Sequence, residues 1–282
     1  MTVIDGKGLA NEIKLDIKNE VKSLNSNNIF PKLAVIMVGN DSASRIYVNN
    51  KSKACEKVGI AFEEFIYDED ISQKMLIDKI KELNEDKSIN GILLQCPIPK
   101  NLNLNEALST IDPDKDVDGF NPVNVGRLCV GEDTFISCTP YGIMKMFEKY
   151  NIELCGKHTV VIGRSNIVGK PLIQCLLRKN ATVTVCHSKT EDLEHYTREA
   201  DVLISAIGKP MIVRENMVKR GVVVIDVGIS RLEDGKIVGD VDFDNVSKKA
   251  SFITPVPGGV GPMTIAMLLS NVVKATKKQF NI

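Results

Sequence analysis

Tyr47 and Lys51 stand four residues apart in the stretch Ser44-Arg45-Ile46-Tyr47-Val48-Asn49-Asn50-Lys51. On a helix, residues at this spacing share a face, with Ser44 one turn earlier. A tyrosine ring offers a flat surface on which a heteroaromatic substrate can stack. A partly desolvated lysine amine can carry protons near neutral pH. The same spacing also describes an ordinary solvated helix face. Gln95 closes the apolar run Ile92-Leu93-Leu94, and the carboxyl end of a parallel strand is where such sheets bind ligands. A neutral amide there can orient a lysine without neutralising it as a carboxylate would, or it can cap a loop backbone. The run Asp114-Lys115-Asp116-Val117-Asp118-Gly119 begins like a calcium loop. Its twelfth position would be Val125, where that loop needs a bidentate Glu, so calcium is excluded. Carboxylates packed this densely accept N–H groups from loops or from a ligand, and one matches the amino-and-ring N–H edge of a pterin.

A second group lies at Gly163-Arg164-Ser165-Asn166-Ile167-Val168-Gly169-Lys170-Pro171, between an apolar strand and a helix. Small residues there let the backbone approach a phosphate, and the helix N-terminus adds amides and partial positive charge. The spacing departs from the usual dinucleotide fingerprint, because Ser165 replaces the second Gly. It is not a P-loop either, since Pro171 stands where Ser or Thr would hold magnesium. The alternative is a plain strand-to-helix turn. The next strand ends Val185-Cys186-His187-Ser188-Lys189 without the carboxylate that accepts the ribose hydroxyls of NAD. Arg164, Ser188 and Lys189 can instead bind a 2′-phosphate, which favours NADP. Ser188-x-x-Glu191 also reads as a capping box, and Glu191 and Asp192 leave NAD open. His187, His195 and Cys186 fit no zinc spacing, so no metal is expected.

Two α/β halves must position these residues, because short apolar runs alternate with amphipathic stretches. The first half predicts a helix with apolar Leu9, Ile13, Ile17, Val21 and Leu24. Strand Leu33–Val38, helix Ser42–Val58, strand Ala61–Tyr67, helix Ser72–Leu83 and strand Gly91–Gln95 follow. Residues 97–140 hold five of the 11 Pro and read as loops. The second half predicts strand Thr159–Ile162, helix Lys170–Lys179, strand Thr182–Cys186, a helix near Glu191–Arg198, and strands Val202–Ser205 and Val222–Asp226. Pro255–Pro262 opens a last helix, with Pro262 in its first turn and Lys274, Lys277 and Lys278 toward its negative end.

With 282 residues the chain has room for about two domains. Its 36 basic and 36 acidic side chains and its lack of Trp argue against a nucleic-acid partner. No apolar run approaches the roughly 20 residues of a membrane span, and the first residues lack a signal-peptide layout. Seven scattered Cys without a CxxC pair point to reduced thiols in a cytoplasmic setting.

Together these segments resemble the bifunctional methylenetetrahydrofolate dehydrogenase/methenyltetrahydrofolate cyclohydrolase family. The matches are Tyr47-x-x-x-Lys51, Gln95-x-Pro97, Asp114–Gly119, Gly163–Pro171, His187-Ser188-Lys189-Thr190 and Thr254-Pro255-Val256-Pro257-Gly258-Gly259-Val260-Gly261-Pro262-Met263-Thr264. Cys96 departs from the Leu the family more often carries. The resemblance implies an α/β fold of two domains with a cleft between them. Residues 1–139, completed by helix 263–282, would form the folate-binding catalytic domain. Residues 140–262 would form a Rossmann-like NADP domain. Lys51 is then the general acid/base, Tyr47 stacks on the folate, Gln95 orients Lys51, and Asp118 grips the pterin. Gly163, Arg164, Ser165, Ser188 and Ile229 would contact NADP. Pro257, Gly258 and Gly259 would line the folate and nicotinamide. Also implied are tetrahydrofolate one-carbon substrates, a homodimer, and a place in purine and amino-acid biosynthesis. The competing reading is another two-domain NADP-dependent dehydrogenase, acting on a small hydroxy or keto acid.

Overall fold

The computed structural model describes the backbone of residues 1–282 and every side chain except that of Ala43. The chain divides into two compact units, residues 12–136 with 265–282, and residues 1–11 with 137–264.

A two-residue strand β1 (Thr2–Val3) precedes helix α1 (Gly6–Ser26), whose residues from Glu12 onward belong to the first unit. There β2 (Lys32–Val38), α2 (Ser42–Val58), β3 (Ala61–Tyr67), α3 (Gln73–Glu85) and β4 (Gly91–Leu94) form two βαβ steps around a parallel sheet of order β3-β2-β4. The middle strand β2 is buried from Leu33 to Val38, which is why it reads as an unbroken apolar run. Helix α3 buries Leu76, Ile77, Ile80 and Leu83 on one face against that sheet. Each such side chain contributes about 1.5–3 kcal/mol by leaving water. The outer strand β3 is half exposed and carries the charged pair Glu63 and Glu64, with Lys32 of β2 at 2.5 Å from Glu63 and Arg45 of α2 at 2.8 Å from Glu64. Charges of this kind discourage edge-to-edge pairing.

Residues 97–140 are loop and turn for more than half their length, as expected, but not throughout. They contain α4 (Leu104–Thr110), α5 (Pro122–Val130) and the start of α6 (Cys138–Lys149). The Asn and Pro that read as breakers are helix starts. Asn103 and Asn121 are N-caps accepting from Glu106 and Val123 amides, and Pro122 sits in the first turn, where no N–H is needed.

The second unit carries β5 (His158–Ile162), α7 (Gly169–Leu177), β6 (Thr182–Cys186), α8 (Leu193–Arg198), β7 (Val202–Ser205) and β8 (Val223–Asp226). A small antiparallel pair, β9 (Ser230–Arg231) and β10 (Ile237–Val238), precedes α9 (Phe243–Val246), β11 (Phe252–Ile253) and α10 (Val260–Phe280). The six-stranded sheet is parallel throughout, in the order β1-β11-β8-β7-β5-β6. The chain passes from β5 to β6 on one side and then to β7 on the other, so the strand order reverses between β5 and β7.

Two expectations change here. The first eleven residues belong with residues 137–264 rather than with the first unit, because β1 pairs with β11 as an edge strand. Ser188 does not cap the helix that follows it. Asp192 does, accepting from the His195 amide at 3.2 Å. That occupies one of the two carboxylates that had left NAD open. His158 has a structural role, bonded through its amide to Asp201 and through its ring to Thr184 and the Glu199 carbonyl.

Candidate active site

Helix α2 starts at Asp41, whose side chain accepts the Ser44 amide at 2.7 Å, and stops at Gly59 in the left-handed conformation. Tyr47 and Lys51 are therefore helical and one turn apart, as their spacing predicts. Tyr47 is 49% exposed, so its ring is open to a ligand. The Lys51 ammonium donates to Gln95 Oε1 at 2.9 Å. Gln95, only 8% exposed, in turn donates from Nε2 to the Cys96 carbonyl at 2.7 Å. The amide thus performs both functions weighed from the sequence, holding the lysine and tying down the loop. Cys96 lies within the fields of two predicted residues. Burial pushes its thiol up to about 11, the Asp118 carboxylate adds to that, and Lys51 opposes it. A groove of about 600 Å³ opens at the carboxyl ends of these strands, lined by Gly39, Asn40, Glu69, Pro97, Ile98 and Lys100, among others.

The loop bearing Asp118 is anchored by its neighbours. Its backbone runs parallel to β4, with Asp116 opposite Ile92 and the Ile92 amide donating to the Lys115 carbonyl at 2.7 Å. Gly91 permits this approach, since a Cβ there would lie 2.7 Å from Val117. Lys115 is buried and donates to the carbonyls of Leu83, Asn84 and Asp86 at 3.0, 2.7 and 2.7 Å, closing the C-terminal end of α3. Asp116, 1% exposed, accepts from the Phe120 and Asn121 amides and from Asn124 Nδ2. Burial nevertheless raises its carboxyl to about 6. Half-buried Asp118 follows at the head of this braced turn.

In the second unit, Gly163 ends β5 with φ +119°, and a Cβ on it would lie 2.5 Å from the Ala206 carbonyl oxygen. A Cβ on Gly169, at the start of α7, would lie 2.4 Å from the Gly163 oxygen. Side chains are thus excluded where strand and helix meet. Ser165 Oγ accepts the Val168 and Gly169 amides at 3.2 and 3.3 Å, while Arg164 and Ser165 themselves remain exposed. The turn lies at the carboxyl end of the sheet, where the strand order reverses, the place such sheets bind nucleotides. Beyond β6, Ser188 and Lys189 are exposed and no carboxylate ends the strand. This cradle of bare backbone, open cations and a helix N-terminus suits a phosphorylated dinucleotide. Ile229, 54% exposed, follows β8, and the Gly261 Cβ position is 3.6 Å from its Cδ1. The Pro257–Gly259 turn rests on the start of α1, with the Lys7 amide donating to the Gly258 carbonyl at 2.9 Å. A Cβ on Gly6 would lie 2.0 Å from the Gly259 oxygen.

Two buried carboxylates escaped the sequence reading. Asp226 and Asp240 are 3% and 0% exposed and hold loops at the ends of β7 and β8. Each lies within two residues of a glycine in the sequence, Asp226-Val227-Gly228 and Gly239-Asp240, which was an available sign of close packing. Among the described residues no three His, Cys, Asp or Glu side chains gather as a metal site.

The fold and these two sites define a protein with a nucleotide-binding α/β unit and a lysine-centred α/β unit. Residues 4–118 match the tetrahydrofolate dehydrogenase/cyclohydrolase catalytic domain, and residues 137–280 match the NAD(P)-binding domain of the same family. The chain belongs to that family. It is 54% identical to the bifunctional protein FolD of Campylobacter hominis over 99% of this chain and 98% of that one. The crystal structure of the FolD dehydrogenase/cyclohydrolase of Campylobacter jejuni superposes with a TM-score of 0.98 at 53% identity, covering 99% of both chains. The Trypanosoma brucei FolD, solved with NADP and an inhibitor, aligns at 36% identity and TM-score 0.95 over 100% of this chain and 99% of that one.

Proposed function

We propose that this chain oxidises 5,10-methylenetetrahydrofolate to 5,10-methenyltetrahydrofolate with NADP and then hydrolyses the product to 10-formyltetrahydrofolate. The observation that carries the reading is the 2.9 Å bond from Lys51 to a buried, neutral Gln95 at the carboxyl end of β4. When bound, NADP supplies the acceptor for the hydride. In that first step the hydride leaves a carbon flanked by two folate nitrogens, whose lone pairs stabilise the cation left behind. The protein therefore has to align rather than to move protons, which is a matter of proximity and orientation. Tyr47 provides the stacking face for the folate, Asp118 accepts from the pterin edge, and Pro257, Gly258 and Gly259 supply a wall for it.

The second step differs. Water adds to the methenyl carbon and one C–N bond opens, so a proton leaves the water and one reaches the departing nitrogen. Lys51 is the carrier. Gln95 holds the amine through an uncharged oxygen, leaving it free to give up and regain its proton. Gly163, Arg164, Ser165, Ser188 and Ile229 contact the dinucleotide, and the open cations beside a strand end without a carboxylate favour NADP over NAD. The same reading includes a homodimer working in the cytoplasm and feeding one-carbon units to purine and amino-acid biosynthesis. Among the described residues no helix is long and apolar enough to cross a membrane.

The decisive experiment adds methylenetetrahydrofolate and NADP to the purified chain. NADPH should form, and added methenyltetrahydrofolate should disappear faster than in buffer. A chain that performs neither reaction on any tetrahydrofolate derivative would overturn the reading. Reduction of NADP by a small hydroxy acid would favour the competing dehydrogenase.

A further inference from the structure

We infer that Asp240 is a positioning residue for dinucleotide binding. This inference rests on the reading of the Gly163 turn as the NADP site. Asp240 is fully buried, and among the described residues its recorded side-chain partners are a hydroxyl and backbone amides rather than a cation. Its carboxylate is held instead by hydrogen-bond donors from the ends of the sheet. Oδ2 accepts from Ser205 Oγ and the Ile207 amide, both at 2.9 Å, and Oδ1 accepts from the Lys209 amide at 2.8 Å. Ser205 is the last residue of β7, and Ile207 and Lys209 lie in the loop after it.

That loop is the one packed against the cradle. The Cβ position of Gly163 lies 2.5 Å from the Ala206 oxygen and 3.3 Å from Ile207 Cγ2. Ala206 is in turn bonded through its amide to the Ile162 carbonyl at 2.8 Å. Asp240 therefore fixes the surface on which the Gly163 turn rests, at the reversal of strand order between β5 and β7.

The same carboxylate bears on the loop after β8. A Cβ on Gly228 would lie 2.0 Å from Asp240 Oδ1, so this loop passes directly over it. Asp226 completes the arrangement. It accepts the Gly228 amide at 3.0 Å and the Asp240 and Val241 amides at 2.9 Å each, and so locks the backbone that carries Asp240. Ile229, the predicted cofactor contact, follows Gly228 directly. A Ser230 Oγ bond to the Gly208 carbonyl at 3.4 Å joins the two loops. One buried carboxyl group thus sets three turns at the carboxyl end of the sheet. A carboxylate buried without a cation is costly unless its hydrogen bonds are satisfied. Here each oxygen accepts at least one donor, and all three donors come from the end of β7 and the loop that follows it.

Asp240→Asn keeps the shape but turns one acceptor into a donor facing donors. The test measures NADPH binding by fluorescence titration beside methenyltetrahydrofolate hydrolysis, which needs no nucleotide. The expected result is an NADPH Kd raised at least tenfold, with hydrolysis and its substrate KM within twofold of the parent. Ser205→Ala, which removes one bond only, should raise the NADPH Kd by a smaller factor. If Asp240→Asn fails to fold, Ser205→Ala and Gly228→Ala decide the matter through the same two readouts. An unchanged NADPH Kd in a folded Asp240→Asn, or in both substitutes, overturns the inference. A parent chain that binds no NADPH would overturn the cofactor reading itself. Equal losses in hydrolysis and NADPH binding would reduce Asp240 to a folding role and also overturn the inference.

Discussion

Around Lys51 the protein uses side chains that hold one another: an amine on an amide, the amide on a loop, and Lys115 and Asp116 beneath Asp118. At the Gly163 turn it uses the absence of side chains, with two glycines whose Cβ positions fall 2.5 and 2.4 Å from carbonyl oxygens. Under the proposed function, proton transfer would account for the first choice, because a proton carrier must be a side chain held at a defined place. Phosphate binding would account for the second, because backbone amides reach an anion only where nothing stands in front of them. The two regions should therefore fail differently, the first on losing an atom and the second on gaining one.

The sharpest loss is expected from Lys51→Met. Removing the proton carrier should lower methenyltetrahydrofolate hydrolysis by about a thousandfold or more, within the range of general acid–base effects, while hydride transfer stays measurable. Rates of the two reactions on one purified variant check this. Hydrolysis retained at the parent rate would remove Lys51 from the chemistry and erase the contrast.

Gly169→Ala is the converse, a single methyl added to the backbone-built site. Its Cβ would press on the Gly163 oxygen, and relieving such overpacking costs about 1–3 kcal/mol. If that strain is released by moving the turn, NADPH affinity should fall roughly ten- to hundredfold, at about 1.4 kcal/mol per decade. Hydrolysis at Lys51 should not change. Fluorescence titration and the hydrolysis assay together read it, and parent-like NADPH affinity would refute close backbone approach at this turn.

The legibility of the two regions also differed. Helix α2 was readable in outline because the segment from about Ser42 to Val58 has no breaker, and the structure shows Asp41 capping it and Gly59 ending it. The parallel strands were readable because burial on both faces makes them continuous apolar runs. Helices α4 and α5 were missed because Asn103, Asn121 and Pro122 mean a loop by composition and a helix start by position. Strands β1 and β11 are two residues long, too short for any period to show. The buried polar side chains Lys115, Asp116, Asp226 and Asp240 were invisible for another reason. Pattern reading places charge at the surface, and only the folded backbone shows that carbonyls and amides surround these groups. Tyr47 and Lys51 could be singled out by their spacing on one helix face, and Gln95 because the carboxyl end of a parallel strand is a place with a known use.

Asp116 probes the footing of the side-chain-built region. Its carboxyl titrates near 6 in the fold against 3.8 when free. The folded state therefore holds this proton more tightly than the unfolded chain does. Its contribution to stability is greatest below about pH 4 and is lost as pH rises through about 6. Asp116→Asn removes that titration. Urea unfolding of both proteins should show the parent gaining on the variant as pH falls from 7 to 4, by on the order of 1–3 kcal/mol. A difference that stays constant across this range would mean that the amides of Phe120 and Asn121 offset the burial.

Arg164 is an exposed cation in the Gly163 turn, and unlike exposed Lys170, which donates to Asn166 Oδ1 at 2.7 Å, it can add charge to a site made largely of backbone. If it reaches the 2′-phosphate, Arg164→Ala should lower the ratio of kcat/KM for NADP over NAD by about tenfold, a modest share of what a charge-assisted bond contributes. The turn itself should survive, because Ser165 Oγ still receives the Val168 and Gly169 amides. NAD turnover should then be nearly unaffected, since the backbone cradle serves the phosphates the two nucleotides share. An unchanged ratio would transfer discrimination to Ser188 and Lys189 beyond β6. An equal fall with both nucleotides would show that Arg164 binds the shared phosphates, and that this site relies on a side chain after all.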